Sequence, residues 1–366
     1  MRVLFLNQYF PPDPAPTGVL LHELAQALER AGHEVIFVSS GEDYRAARSQ
    51  RGRMRRELAA LIRMVWKSLR AGNVDMVISA SSPPCLLVAA TGAAMWHRAE
   101  SVHWVMDLYP EIAEALGELR PGMPARIITA LMGWGYRRAR CVVALDEDMA
   151  NRLRPYGTTP RIIRPWVFSS VQRTLDLLRT EPLWIRPPAD EPWTWIYSGN
   201  LGRGHEWETL LAAQAMIEQR DPTVRLLFQG GGPSRPAAQA RAQELGLRRC
   251  EWRGYVDEAE LPASLLACHA CAVTQLPTVR GMLWPSKLGL LLTLPRPLIW
   301  IGPTESAIAR ELREIPHAGV FAPGAAAELA EWILARRKDT EPASPALDPR
   351  EARAGALADW LALLSA

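Results

Sequence analysis

The chain has 366 residues, 48% hydrophobic and 22% charged, with a net charge of +3. That length suits two domains of roughly 100–200 residues each. The apolar content excludes wholesale disorder, no run reaches the ~20 apolar residues of a membrane span, and five cysteines without framework spacing fit a reducing cytosol. Cys268 and Cys271 stand at CxxC spacing, but with no second ligand pair they read as buried thiols, and no metal is expected. The charge is uneven. Residues 1–180 hold 23 Lys+Arg against 17 Asp+Glu, a balance of +6, and the remainder holds 19 against 22, a balance of −3.

In chain order, "RVLFLNQ" is a buried-type strand, too short in its apolar part for a signal peptide. "YFPPDPAPTG" follows as a rigid loop ending at Gly18, then "VLLHELAQALERAG" as an amphipathic helix and "HEVIFVSS" as the next strand. Such a βαβ opening predicts a parallel sheet covered by helices. Tyr44–Arg70 carries nine basic residues and one acid, Glu57, with Leu58, Leu61, Ile62, Val65, Trp66 and Leu69 at helical spacing. This is a basic amphipathic helix. It either packs its apolar stripe on its own domain or meets anionic lipid headgroups. Nucleic acid is not expected, because no aromatic stacking residues are interleaved with the arginines.

Strands are predicted at "VDMVISAS", "AESVHWVMD" and "CVVALD". Around "RTEPLWIRPPADEPW" prolines and charges cluster and periodicity stops, which places a linker at residues 181–193. The pattern then restarts: strand "WTWIYSG", glycine loop "NLGRGH", helix "EWETLLAAQAMIEQ", strand "VRLLFQGGG", and later strands "CEWRGYV", "ACAVTQL" and "PLIWIG". A last helix follows at "DPREARAGALADWLALL". The prediction is an α/β protein of two similar domains, residues 1–180 and 194–349, with a cleft between them.

In open α/β sheets, ligands gather where the carboxyl ends of strands lead into loops and helices. In the first half this rule selects the Pro12–Gly18 loop, Asp107 with Glu111, and Asp146. In the second it selects Ser198–Gly204, Gln229–Pro233 with Gly231, Arg253–Val256 and the stretch around Lys287. The second set is rich in glycine and cation, the first in carboxylate. Neither GxGxxG nor GxxxxGK[ST] is present, which disfavours a nicotinamide enzyme and a P-loop ATPase.

Four stretches, "FLNQYFPPDPAPTGVLLHELAQALERAGHEVIFVSS", "WVMDLYPE", "YSGNLGRGHEWETLL" and "PSKLGLLLTLPRPLIW", occur in this order. Together they resemble a bacterial GT-B-fold glycosyltransferase of family 4, of the type that builds capsule, O-antigen or exopolysaccharide. The resemblance implies two Rossmann-like domains, the second binding a nucleotide sugar and the first an acceptor, with residues 350–366 crossing back to the first. It implies sugar transfer with retention, without metal or other cofactor, from a donor expected to be a UDP-sugar, to a glycan or polyprenyl-linked acceptor. The place implied is the cytoplasm or the inner face of the cytoplasmic membrane.

Carried over residue by residue, Thr17 and Gly18 match the loop that approaches the donor phosphates, and Asp107 the aspartate that serves the acceptor, its other reading being a helix N-cap. Gly199, Asn200, Gly202 and Arg203 match the loop facing the diphosphate. Tyr255 and Val256 stand where the base is held, Gly281 under the sugar, and Ser286 and Lys287 in the motif that neutralises the leaving diphosphate.

The family's helix after that lysine usually carries a glutamate that clamps the ribose. Here Leu290 takes its place, and Met282 replaces the partner glutamate. The ribose clamp is therefore absent or supplied from elsewhere in the chain, with Glu305 as one candidate. A lysine opening an apolar helix is unfavourable at the positive end of the helix dipole, so an anion is expected beside it. The rival reading is a non-catalytic GT-B protein that partners or regulates a transferase.

Overall fold

The described residues of the computed structural model, 1–13, 15–41, 53–185, 187–188, 192–338 and 343–365, form two parallel six-stranded sheets flanked by helices. The first contains β1 (Arg2–Leu6), β2 (Glu34–Val38), β3 (Met76–Ser79), β4 (Glu100–Trp104), β5 (Cys141–Ala144) and β6 (Arg161–Ile162) in the order β2-β1-β3-β4-β5-β6. The second contains β7 (Trp193–Ser198), β8 (Val224–Gln229), β9 (Cys250–Arg253), β10 (Ala270–Thr274), β11 (Leu298–Ile301) and β12 (Ala318–Phe321) in the order β12-β11-β10-β7-β8-β9. In each sheet the strand order reverses beside the first strand: between β1 and β3, and between β7 and β10. Those are the switch points where α/β sheets receive ligands.

Contacts divide the chain into two units. The first is Met1–Pro165 with Gly281–Trp284 and Ala354–Ala366; the second is Trp166–Arg280 with Pro285–Arg353. The boundary falls ahead of the proline-rich stretch at 181–193, because helix Ser169–Leu178 packs in the second unit, where Ser170 bonds Glu258. The C-terminal helix Pro349–Ser365 begins in the second unit and ends in the first, where Trp360 meets Trp104 edge-on at 5.0 Å.

Each core follows from strand composition. β1 is apolar on both faces and its Val3, Leu4, Phe5 and Leu6 are all buried, as a strand covered on both sides requires. On β7, Trp195 and Tyr197 pack with Leu210, Leu211 and Ile217 of helix Glu208–Arg220 and with Leu329 and Ile333 of helix Ala326–Arg336. Each such side chain contributes about 1.5–3 kcal/mol. The helix expected from Lys287 is short: Lys287–Leu291 alone is helical, and the chain then turns towards β11. Of the basic stretch Tyr44–Arg70, residues 44–52 lie outside the described residues, and Arg53–Leu69 is a helix.

Candidate functional site

At the switch point of the second unit, the loops leaving β7 and β8 lie backbone against backbone. Gly199 N–H donates to Gln229 O (2.7 Å) and Leu201 N–H to Gly231 O (2.6 Å). Gly199 and Gly230 both have φ of +124°, and a Cβ on Gly230 would collide with the Gly199 carbonyl. Only glycine satisfies both demands. Asn200 and Arg203 are exposed on this loop, and Gly202 lies beside His205. The Tyr255 ring edge covers Gly231 and its hydroxyl lies 3.4 Å from Asn200 Oδ1, with Val256 half-buried beyond it.

Lys287 is held inside this arrangement. Its Nζ sits 3.5 Å from the centroid of the Tyr197 ring, and its Cε and Nζ pass directly beneath Gly199, where a Cβ would lie 3.3 Å from each. The ammonium is buried and has no hydrogen-bond partner among the described residues. Burial holds its pKa well below the ordinary lysine value. His205 Nδ1 lies 2.8 Å from Thr274 O, its ring meets Tyr197 edge-on at 5.8 Å, and burial, then Lys287, pull its pKa down to about 3. A neutral imidazole donating from Nδ1 leaves Nε2 as an acceptor. The cation is thus unfavourable through desolvation and not through the helix dipole, since a five-residue helix has little dipole to oppose. The ring face beneath it offsets part of that penalty.

The first unit presents the opposite charge at its switch point. Gln8 N–H donates to Ser82 O (2.8 Å), and Ser82 Oγ donates to Gln8 Oε1 (2.8 Å). Ser81 Oγ accepts from the backbone N–H of Met106 (2.8 Å) and of Asp107 (3.3 Å), which fixes Asp107 just past β4. The Asp107 carboxylate has no hydrogen-bond partner among the described residues, and burial raises its pKa to about 6. It caps no helix: the helix that follows, Glu111–Ala115, has Pro110 at its N-cap. Asp146 does cap one, accepting from Met149 N–H (2.8 Å). The segment Gly281–Trp284 joins this unit: Leu108 N–H donates to Met282 O (2.7 Å), and Asp107 forms an isolated antiparallel bridge with Leu283. Gly281, at φ +67°, lies against the Asp148 carbonyl.

Residues 17–167 match the family profile described as Glycosyltransferase Family 4. That match spans most of the first unit. The whole chain has the GT-B fold of solved structures that include the Anabaena protein HepE in complex with UDP and glucose (18% identity, 100% of both chains, TM-score 0.67). Others are sucrose-phosphate synthase from Thermosynechococcus elongatus (16%, 100% of this chain and 98% of that one, 0.68) and WaaG, a glycosyltransferase involved in lipopolysaccharide biosynthesis (15%, 98% and 94%, 0.59). No curated protein matches the chain.

On this GT-B frame the expected residues separate. Gly199, Asn200, Gly202, Gly231, Tyr255 and Lys287 converge at the second switch point, and Asp107 stands at the first. Thr17 and Gly18 lie not in a loop but within helix Pro16–Arg30; a Cβ on Gly18 would be 2.5 Å from the Tyr9 carbonyl, so packing alone accounts for that glycine. Ser286 is exposed and makes no capping bond. The Glu305 carboxylate is engaged by Arg280 at 2.9 Å, and the Glu305 carbonyl by Arg280 and Arg310. Met282 is buried in the first unit, and Leu290 is half-buried. Tyr197 and His205 were not selected by sequence. Tyr197 sits inside a strand that reads as core, and His205 meets Thr274 across 69 positions.

Proposed function

We propose that the protein is a retaining glycosyltransferase that moves a sugar from a UDP-sugar to a glycan or polyprenyl-linked acceptor in cell-surface polysaccharide synthesis, at the cytoplasmic face of the membrane. The observation that carries this reading is the buried Lys287 ammonium, unpartnered beside the glycine loops. A diphosphate supplies the anion that such a cation lacks. Lys287 and the exposed Arg203 stabilise the departing diphosphate, which supplies electrostatically what a metal ion supplies elsewhere. The backbone N–H groups of the Gly199–Gly202 loop hold its oxygens, and the base lies by Tyr255 and Val256. Asp107 accepts the proton of the acceptor hydroxyl, for which a pKa of about 6 is well matched.

HepE, solved with UDP and glucose and also with UDP-glucose, supports UDP-glucose as the first donor to try. Calorimetry with UDP on the native chain and on Lys287→Ala tests the donor site; equal affinity for the two would refute it. Incubation with UDP-glucose, a polyprenyl-linked glycan and EDTA, with the anomeric configuration read by NMR, tests transfer, retention and metal independence. Leu290 and Met282, in place of carboxylates, favour one alternative, a GT-B subunit that binds nucleotide without turnover. UDP binding with no product across a panel of UDP-sugars and acceptors would decide for it.

A further inference from the structure

Helix Arg53–Leu69 is apolar on two sides. Ala60 and Met64 are buried, Met64 in a core with Leu4, Leu6 and Val77. Leu58, Ile62 and Trp66 recur every fourth residue on the opposite side and are 57%, 61% and 58% exposed. A helix serving only its own core would leave that side polar.

The neighbouring helices repeat the pattern. Leu86–His97 packs beside it, with His97 Nε2 2.9 Å from Ser68 O, and exposes Met95 and Trp96, the latter at 68%. Met123–Arg138 packs on the next side, where Gly135 lies against Leu87 and Arg138 reaches Met95 Sδ (4.0 Å). It exposes Met123, Ile127 and Leu131, again four apart. The three helices carry five, none and three basic residues, eight against the single acid Glu57. Just beyond the first helix, the Arg70 guanidinium lies 3.5 Å from the centroid of the Trp66 ring.

We propose that this three-helix face docks on an anionic lipid bilayer, seating Trp66 and Trp96 at the level of the headgroups. The proposal names the surface for the membrane-facing part of the functional reading and rests on that part alone, not on the transfer chemistry. Apolar residues exposed in rows with cations around them are what a bilayer interface accommodates. Charge decides the occupant. Pairing of this face with a second copy of itself would set exposed cations such as Arg55, Arg63, Arg126 and Arg138 against their own copies, whereas an anionic bilayer neutralises them. No helix among the described residues is long and apolar enough to cross a membrane, so the contact is peripheral.

The test sediments the full chain with vesicles of phosphatidylcholine alone, or mixed equally with phosphatidylglycerol, at low and high salt. The expected result is pelleting with the anionic vesicles only, a blue shift of tryptophan emission, and release by salt. The variant carrying Ile62→Ser, Trp66→Ser and Trp96→Ser binds vesicles about tenfold or more weakly and binds UDP as the native chain does. Arg63→Gln with Arg70→Gln and Arg137→Gln removes the preference for anionic lipid and does not depend on the first variant folding. A native chain that binds UDP yet stays in the supernatant with both vesicles overturns the proposal. So does a native dimer in sedimentation velocity that the serine variant dissolves, which assigns the face to a second copy. Vesicle binding without UDP binding leaves the proposal standing and removes the donor reading.

Discussion

The two units have similar parallel sheets and opposite chemistry at corresponding places. At the first switch point, Gln8 and Ser82 bond each other, Ser81 Oγ holds the backbone N–H groups of Met106 and Asp107, and a carboxylate stands free of partners with its pKa raised to about 6. At the second, glycines bring two loops together over an ammonium whose pKa is pushed down. Burial does the same physical work on both, disfavouring the charged form. The outcome differs because one group is an acid and the other a base. The first is thereby suited to accept a proton near neutral pH, the second to gain from an arriving anion. Topology provides the two positions; the residues placed there decide the chemistry.

The strongest way to break the comparison is at Asp107. If it is the acceptor's base, Asp107→Asn lowers kcat by about 10²–10⁴-fold, with UDP affinity unchanged. The sign of the pH dependence follows from burial. The base works ionised and its pKa is raised to about 6, so activity falls as pH drops through about 6. The variant loses that limb. A pH–rate profile of the native enzyme that is flat across this range would remove Asp107 from the role.

Next comes Lys287. Lys287→Met lowers UDP affinity by roughly ten- to a hundredfold, the worth of a charge-assisted hydrogen bond of about 1.5–3 kcal/mol. The same variant is more stable without ligand, by about 1–3 kcal/mol near neutral pH, because an unpartnered buried ammonium is replaced by a side chain that needs no partner. The folded-state pKa lies below the unfolded one, so the unfolded chain binds the extra proton. The native fold therefore gains stability as pH rises towards the ordinary lysine value, and the advantage of the variant shrinks over that range. Denaturant melts at several pH values check both statements. A variant less stable than the native chain would show that the ammonium is satisfied in solution and needs no diphosphate.

Much of this frame was legible in sequence. Strands such as β1 and β11 are near-continuous apolar runs, and their order with the intervening helices implied parallel sheets. β6 was missed because Arg161 and Ile162 are only two residues and exposed, so no apolar run marks them. The unit boundary was misplaced towards the prolines, because composition marks where the chain is irregular and not where contacts cease. At the site, the glycines and Lys287 could be picked out, since spacing and residue type carry them. What spacing could not convey was that Lys287 is buried over Tyr197. The N-cap reading of Asp107 was also open in sequence, and only the observed cap at Pro110 closes it. The helix Arg53–Leu69 shows the same limit. Its six apolar residues read as one stripe, yet Leu61, Val65 and Leu69 turn partly inward while Leu58, Ile62 and Trp66 face solvent.

The smallest expected effect sharpens the comparison inside the second unit. The cation is present there, but the carboxylate that would hold a ribose is absent: Leu290 is aliphatic, Met282 lies in the first unit, and Glu305 is engaged by Arg280. A site that makes no hydrogen bond to a hydroxyl cannot strongly reject its absence. UDP and 2′-deoxy-UDP are therefore expected to bind within about threefold of each other, under 1 kcal/mol, while both lose affinity in Lys287→Met. Leu290→Glu is expected to favour UDP by about tenfold, provided the new carboxylate reaches the sugar; Leu290→Gln, which bonds without charge, separates that gain from a general electrostatic change. A large native preference for UDP would mean that Glu305 leaves Arg280 when nucleotide binds. Glu305→Ala would then erase the preference, and Arg280→Ala, by releasing the carboxylate in advance, would strengthen it.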